Sequence, residues 1–262
     1  MRISAALIAR DAQHHRGWGL GSKILEILSR KPFAVIGHRG ASGLAPENTL
    51  ASFSKAIEVG SDMVELDVQL TSDGVVIALH DEDLKRVDGL DINVRRKTYA
   101  EISSIRIRGE PIPRLEDVLR LCVERVGVLI EIKVSGDEGY VIDTIKSLGA
   151  VDWVAIISFS EEPLRRVKKA MPSIPVGIIY TQPPGKIVDA KREGFEMALP
   201  RYPLATQRSI ELAHRLGIKV IAWTVNDEKW VRELASRGVD GITTDYPDMA
   251  VRVRENLSKS NS

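Results

Sequence analysis

Met63-Val64-Glu65-Leu66-Asp67-Val68-Gln69-Leu70 is followed by Thr71-Ser72-Asp73-Gly74 and then by Val75-Val76-Ile77-Ala78-Leu79-His80. Two β-type runs therefore flank an Asp-Gly pair. Such a pair marks a tight hairpin, because glycine takes the positive φ that the turn demands. A parallel return would need a crossover of about a dozen residues, and four residues cannot supply one. Residues 75–80 are predicted to run antiparallel to residues 63–70.

This turn decides how the other runs are counted. Strand-like segments lie at 34–37, 63–70, 75–80, 128–134, 154–159, 176–180, 196–199, 219–225 and 241–244, nine in all. Removing the hairpin arm leaves eight. Between most of them lies a helical segment: 49–59, 115–124, 140–148, 163–170, 186–193, 207–216 and 228–236. Asn48 is read as the N-cap of the first, and Gly60, Gly149, Gly194, Gly217 and Gly238 follow their helices as C-terminal stops. Strand–helix alternation predicts parallel βαβ units. Eight of them predict a (β/α)₈ barrel, which typically takes about 250 residues. The chain has 262, divided here into an N-terminal extension, 1–31, a barrel, 32–255, and a polar tail, 256–262.

Composition is that of an ordinary globular chain, with 44% hydrophobic and 28% charged residues. Lys plus Arg number 37 against 36 Asp plus Glu, a net charge of +1. That balance argues against bulk electrostatic binding of nucleic acid. One cysteine, Cys122, excludes an intramolecular disulfide and a Cys-rich zinc site, and it reads as a small buried hydrophobe. No apolar run is long enough for a transmembrane helix. Residues 1–31 carry six basic side chains and two acids, net +4, without the pattern of a signal peptide. Around residues 20–28, Ile24, Leu25, Ile27 and Leu28 suggest a short helix. It reads as a plug for the barrel floor or a surplus extension rather than a basic membrane-surface anchor. A cytoplasmic location is expected.

Barrel enzymes place their chemistry at the C-terminal strand ends. Here those ends carry His38-Arg39, Glu65 and Asp67, His80-Asp81, Glu131 and Lys133, Trp223 to Asn226, and Asp245. Glu65 and Asp67 are two residues apart and share one strand face, with Val64, Leu66 and Val68 on the other. Inward carboxylates repel unless a cation or proton separates them. With Glu131 they form an all-oxygen trio suited to a hard divalent ion, Mg²⁺ or Ca²⁺, with Mn²⁺ a further candidate. The competing reading is that Arg39 and Lys133 simply neutralise them. His38 and His80, converging beside the acids, suggest general acid and base roles. Arg39 suggests a bidentate phosphate or carboxylate ligand, and Lys133 an anion stabiliser.

His38-Arg39-Gly40-Ala41-Ser42-Gly43, Pro46-Glu47-Asn48-Thr49, Glu65-Leu66-Asp67-Val68, His80-Asp81, Glu131-Ile132-Lys133 and Ala222-Trp223-Thr224-Val225-Asn226, in that order, resemble the glycerophosphodiester phosphodiesterases. The resemblance implies a TIM barrel of the phospholipase C-like phosphodiesterase type. It implies metal-dependent cleavage of a small-molecule glycerophosphodiester to glycerol 3-phosphate and an alcohol. By the same resemblance, His38 and His80 act as acid and base, and Glu65, Asp67 and Glu131 hold the cation. Arg39 and Lys133 hold the phosphate, and Trp223 forms an apolar wall. The segment 82–112 is short for a cap, which suggests an open mouth and broad tolerance of leaving groups. Two other classes compete: a lysophospholipase D or phospholipase C type enzyme touching a membrane peripherally through an apolar rim, and a non-catalytic barrel.

Overall fold

The computed structural model describes residues 22–260. Nine strands form the main sheet: β1 (Ala34–Gly37), β2 (Met63–Leu70), β3 (Val76–Ala78), β4 (Gly127–Ile132), β5 (Val154–Ser158), β6 (Val176–Tyr180), β7 (Met197–Pro200), β8 (Lys219–Ala222) and β9 (Gly241–Thr244). The eight other than β3 are parallel, and pairing of β1 with both β2 and β9 closes the barrel. β3 runs antiparallel to β2, with Leu70 opposite Val76 and Val68 opposite Ala78. Gly74, at φ 81°, supplies the left-handed residue of the turn. The Asp-Gly reading of the hairpin is borne out.

Strand alternation divides each barrel strand between two cores. Val64, Leu66 and Val68 face the helix layer with Phe53, Leu115, Val118 and Leu119. The barrel floor is apolar, built from Ala34, Ile36, Met63, Leu129, Ala155, Met197 and Ile221. A short helix, α1 (Lys23–Ile27), closes that floor: Ile24, Ile27 and Leu28 pack into the same cluster. Ser22 starts the helix, its hydroxyl accepting from the Ile24 N–H. Burying each such aliphatic side chain contributes about 1.5–3 kcal/mol, which is ample to dock a five-residue helix that could not persist alone. The anchor and signal-peptide readings concern mainly residues 1–21, which lie outside the described residues.

The outer helices are α2 (Leu50–Glu58), α3 (Leu115–Cys122), α4 (Glu138–Ser147), α5 (Glu161–Ala170), α6 (Ile187–Glu193), α7 (Gln207–Arg215), α8 (Glu228–Ser236) and α9 (Pro247–Ser260). Gly60, Gly149, Gly194, Gly217 and Gly238 all have positive φ, as C-terminal stops require. Cys122 is buried, and burial pushes its thiol up to about 12.

One expectation is refined and one is corrected. Residues 256–260, within the expected polar tail, continue α9. Ala250, Val253 and Leu257 make its inward stripe, and only the outward face looks like a tail. Asn48 is not the N-cap of α2. Thr49 is, its hydroxyl accepting from the Ser52 N–H, while Asn48 turns into the barrel mouth.

Between β3 and α3 the chain builds a small cap. Two ribbons, Asp83–Leu84 with Leu90–Asn93 and Arg106–Ile107 with Glu110–Pro111, accompany one-turn helices at Lys85–Asp88 and Tyr99–Ile102. Leu84, Val94, Ile102, Ile107 and Ile112 pack on Ile77 and Leu79 of the hairpin arm, giving the cap its own core. No described helix is long and apolar enough to cross a membrane.

Candidate active site

The barrel interior changes character along its axis, and it does so on one side only. On β1, β2 and β4 the inward residues become ionisable at the mouth. On β5 to β8 they stay apolar, as Ile157, Ile179, Leu199 and Trp223. A cavity of about 210 Å³ lies between these halves, lined by His38, Arg39, Glu65, His80, Glu131, Lys133, Ile157, Phe159, Ile179, Leu199, Trp223 and Thr243.

His38 follows β1 directly, its N–H extending the ladder to the Thr244 carbonyl at 2.9 Å. Its Nδ1 lies 2.6 Å from Asp245 Oδ1. A carboxylate only accepts, so Nδ1 carries the proton and Nε2 is left free, 4.0 Å from Glu65 Oε2. Burial works against protonation of His38, but the Asp245 hydrogen bond and the Glu65 charge outweigh it and raise its pKa. Asp245 also accepts from Ser42 Oγ at 2.8 Å and from the Asn226 amide. Burial opposes its charge too, yet these partners hold it down at about 2.

Arg39 sits at φ 51°, a turn that sends its backbone N–H to Glu65 Oε2 at 2.9 Å. Gly40 follows at φ 82°, and a Cβ there would lie 2.6 Å from the Ser52 carbonyl carbon. Only glycine lets this loop approach α2 so closely. Arg39 Nη1 donates to Glu47 Oε1 at 2.9 Å, and Nε lies 3.1 Å from Asp67 Oδ2 without hydrogen-bond geometry.

Glu65 and Asp67 face inward from β2, and Asp67 is the register partner of Glu131 on β4. One oxygen from each of the three lies within 4.8 Å of the others. Lys133 Nζ lies 2.8 Å from Asp67 Oδ1 and 2.8 Å from Glu131 Oε1. Asn48 donates its amide to Asp67 Oδ2 at 3.0 Å. Asp67 is deeply buried, but Lys133 and Arg39 hold its pKa at about 2. Glu65 has no cationic side chain in such close contact: burial and then the neighbouring Asp67 charge raise it to about 7, outweighing the pull of His38 and Arg39. Burial likewise raises Glu131. Neutralisation by Arg39 and Lys133 thus serves Asp67 and leaves Glu65 in surplus. Three buried carboxylates, all oxygen donors and short of positive charge, fit a hard divalent cation.

His80 ends the hairpin arm. The Leu79 N–H donates to the Asp67 carbonyl at 3.0 Å and Gln69 Nε2 donates to the His80 carbonyl at 3.0 Å, so the arm is pinned level with the carboxylates. Its Nδ1 lies 2.6 Å from Asp81 Oδ1. Burial lowers its pKa, an effect the Asp67 charge only partly offsets. Trp223 donates Nε1–H to the Leu199 carbonyl at 2.8 Å and meets Phe159 edge-on, with centroids 5.6 Å apart.

His38, Arg39, Glu65, Asp67, His80, Glu131, Lys133 and Trp223, the residues given site roles from the sequence, all stand at this mouth, and all of these but Asp67 line the cavity. Sequence reasoning missed the partners that hold these groups in place: Asp245 for His38, Asp81 for His80, Asn48 for Asp67 and Glu47 for Arg39. Asp81 and Asp245 were visible as strand-end acids, but nothing in the sequence says which histidine each would meet.

A closed parallel barrel with two carboxylate-backed histidines over an acidic trio is suited to metal-assisted acid–base hydrolysis of a phosphodiester. Residues 38–249 match the model of the glycerophosphoryl diester phosphodiesterase family, and the chain belongs to that family. It is 34% identical to a glycerophosphodiester phosphodiesterase of Caldanaerobacter subterraneus, over 84% of this chain and 96% of that one. It is 26% identical to the lysophospholipase D GDPD1 of Homo sapiens, over 81% and 83% of the two chains. Its fold matches an Oleispira antarctica phosphodiesterase solved with the product sn-glycerol-3-phosphate. The TM-score is 0.78 at 27% identity, covering 85% of this chain and 96% of that one.

Proposed function

We propose that this phosphodiesterase hydrolyses glycerophosphodiesters to glycerol 3-phosphate and an alcohol in the cytoplasm, using Mg²⁺ or Ca²⁺, with Mn²⁺ as a substitute. The observation that carries this reading is the convergence of His38, His80, Arg39, Lys133 and the carboxylates Glu65 and Glu131 on one small cavity. Glu65, Asp67 and Glu131 would hold the cation, which supplies Lewis-acid stabilisation of charge on the phosphoryl oxygens. Arg39 and Lys133 add positive charge for the same oxygens. Asp245 and Asp81 fix the tautomers of His38 and His80, so each presents Nε2 to the reacting centre. One histidine takes the proton of the attacking oxygen. The other gives a proton to the leaving alkoxide as its P–O bond breaks. A groove of about 610 Å³ lined mainly by polar side chains shares His80 and Lys133 with the cavity and offers room for the alcohol.

A second reading is supported by the apolar half of the cavity. Ile157, Phe159, Ile179, Leu199 and Trp223 offer no hydrogen-bonding side chain toward a bare glycerol except the Trp223 N–H, which is already used. Phe159 is 49% exposed at the rim. Such a wall fits the acyl chain of a lysophospholipid. Phosphorus NMR of digests of glycerophosphocholine and lysophosphatidylcholine tests both readings. Glycerol 3-phosphate from the first supports the main proposal, and lysophosphatidic acid from the second supports the alternative. Phosphocholine from glycerophosphocholine would mean that the opposite P–O bond is cut and would sink the main proposal, and phosphocholine from lysophosphatidylcholine would mark a phospholipase C type enzyme instead.

A further inference from the structure

Arg86 lies on the one-turn helix Lys85–Asp88 of the cap, outside the catalytic cavity. Each nitrogen of its guanidinium nevertheless donates to a carboxylate. Nε donates to Asp81 Oδ2 at 2.6 Å, while Nη1 and Nη2 donate to Glu47 Oε2 and Oε1 at 2.9 and 2.7 Å. Each of those carboxylates uses its remaining capacity on a group of the site. Asp81 Oδ1 meets His80 Nδ1 at 2.6 Å, and Glu47 Oε1 accepts from Arg39 Nη1 at 2.9 Å. The chain of contacts runs His80, Asp81, Arg86, Glu47, Arg39, and one planar fork sits at its centre.

The Arg86 side chain is 46% exposed. Exposed ion pairs contribute only about 0–1 kcal/mol each to stability. Arg86, bidentate on Glu47 and part of a network, gains more than an isolated exposed pair; what points to orientation is that both carboxylates it binds are the ones that hold His80 and Arg39. The backbone supports the same conclusion. Leu84, just before the helix, is fully buried in the cap core, and Gly89, at φ 73°, ends the helix. Arg86 is therefore presented from a fixed base rather than from a loose loop.

We propose that Arg86 is a positioning residue that sets two groups of the active site at once: His80 through Asp81, and Arg39 through Glu47. This rests on the roles given above to His80 and Arg39. The two arms act on different parameters. Asp81 governs a proton-transfer group, so its loss falls on kcat. Glu47 governs a phosphate-holding group, so its loss falls on KM. Lysine cannot replace Arg86, because a single ammonium cannot meet both carboxylates in the plane of a fork.

The test measures kcat, KM and melting temperature on glycerophosphocholine for Arg86→Gln, Arg86→Lys, Asp81→Asn, Glu47→Gln and His80→Ala, with the cation present. Asp81→Asn is expected to lower kcat about 10- to 100-fold and Glu47→Gln to raise KM. Arg86→Gln should do both, Arg86→Lys should resemble Arg86→Gln, and melting temperatures should stay within a few degrees of wild type. Adding Arg86→Gln to the Asp81→Asn/Glu47→Gln double variant should cause little further loss. Full activity in Arg86→Lys, or an additive loss in the triple variant, would overturn the proposal. So would normal kinetics in Arg86→Gln while His80→Ala is inactive, which defeats the positioning role alone. Wild-type activity in His80→Ala would instead remove the functional reading beneath it. If Arg86→Gln melts early, Asp81→Asn and Glu47→Gln still report the two arms separately, and normal kinetics in both would reject the proposal.

Discussion

His38 and His80 reach the cavity from different chain directions yet are held alike, each with its Nδ1 2.6 Å from an aspartate oxygen, Asp245 for the first and Asp81 for the second. The first arrives at the end of a parallel barrel strand, the second on an antiparallel arm folded back along β2. In both cases the aspartate selects the tautomer and leaves Nε2 for chemistry.

This matched support predicts a division of labour that a leaving group can expose. A histidine that protonates a departing alkoxide matters less when the leaving group is already a weak base. One of His38→Ala and His80→Ala should keep substantial activity on a p-nitrophenyl phosphodiester and lose it on glycerophosphocholine. The other should lose both. Parallel assays on the two substrates decide the matter, and equal losses by both variants on both substrates would refute it.

Glu65 provides a prediction that does not need turnover. Folding raises its carboxyl from 4.5 to about 7. A group with a raised acid pKa holds its extra proton in the folded state, so its contribution is full below pH 4.5 and declines as pH climbs toward about 7. The metal-free protein should therefore gain stability at pH 8 from Glu65→Gln, by about 1–3 kcal/mol. Divalent cation should stabilise the wild type more than the variant. Thermal melts at pH 8 with EDTA or Mg²⁺ test this, and a lower melting temperature for the variant in EDTA would count against it.

The same proton must leave when a cation binds. Affinity should rise from pH 6 to about pH 7 and then level off. Calorimetric titration of Mg²⁺ or Ca²⁺ in buffers of differing ionisation enthalpy should show proton release at pH 6, smaller in Glu65→Gln. No proton release from the wild type at pH 6 would show that Glu65 is already ionised.

The barrel floor predicts a purely structural effect. Ile24 and Leu28 are fully buried against the barrel interior, far from the mouth. Ile24→Ala should cost about 2–5 kcal/mol by cavity formation. Denaturant unfolding measures the loss, while kcat and KM at 25 °C should stay near wild type. A change below 0.5 kcal/mol would mean that α1 is not a working part of the floor.

Much of this was legible in the residues because the barrel repeats simple rules. The Asp73-Gly74 turn separated the antiparallel arm from the eight parallel strands, and period-two alternation put Glu65 and Asp67 on the inner face. Asn48 misled because the side chains that cap helices also serve as buried hydrogen-bond donors. Only the fold shows that it turns toward Asp67 at φ 55° while Thr49 takes the cap. The last helix escaped because the visible face of residues 256–259 is polar and its inward stripe is spread over Ala250, Val253 and Leu257. Arg86, Glu47 and Asp81 were unreadable as a unit. Their contact joins residues 39 positions apart, and no local pattern records a pairing between two loops.

The central claim is that this chain cuts glycerophosphodiesters with help from a cation held by Glu65, Asp67 and Glu131. The most direct measurement follows glycerol 3-phosphate release from glycerophosphocholine, glycerophosphoethanolamine and glycerophosphoglycerol after exhaustive dialysis against EDTA, with Mg²⁺, Ca²⁺ or Mn²⁺ then restored singly. Turnover should vanish on chelation, return with at least one of these ions, and stay absent in Asp67→Asn. Full activity after chelation, or none on any of these substrates with any of the ions, would contradict it.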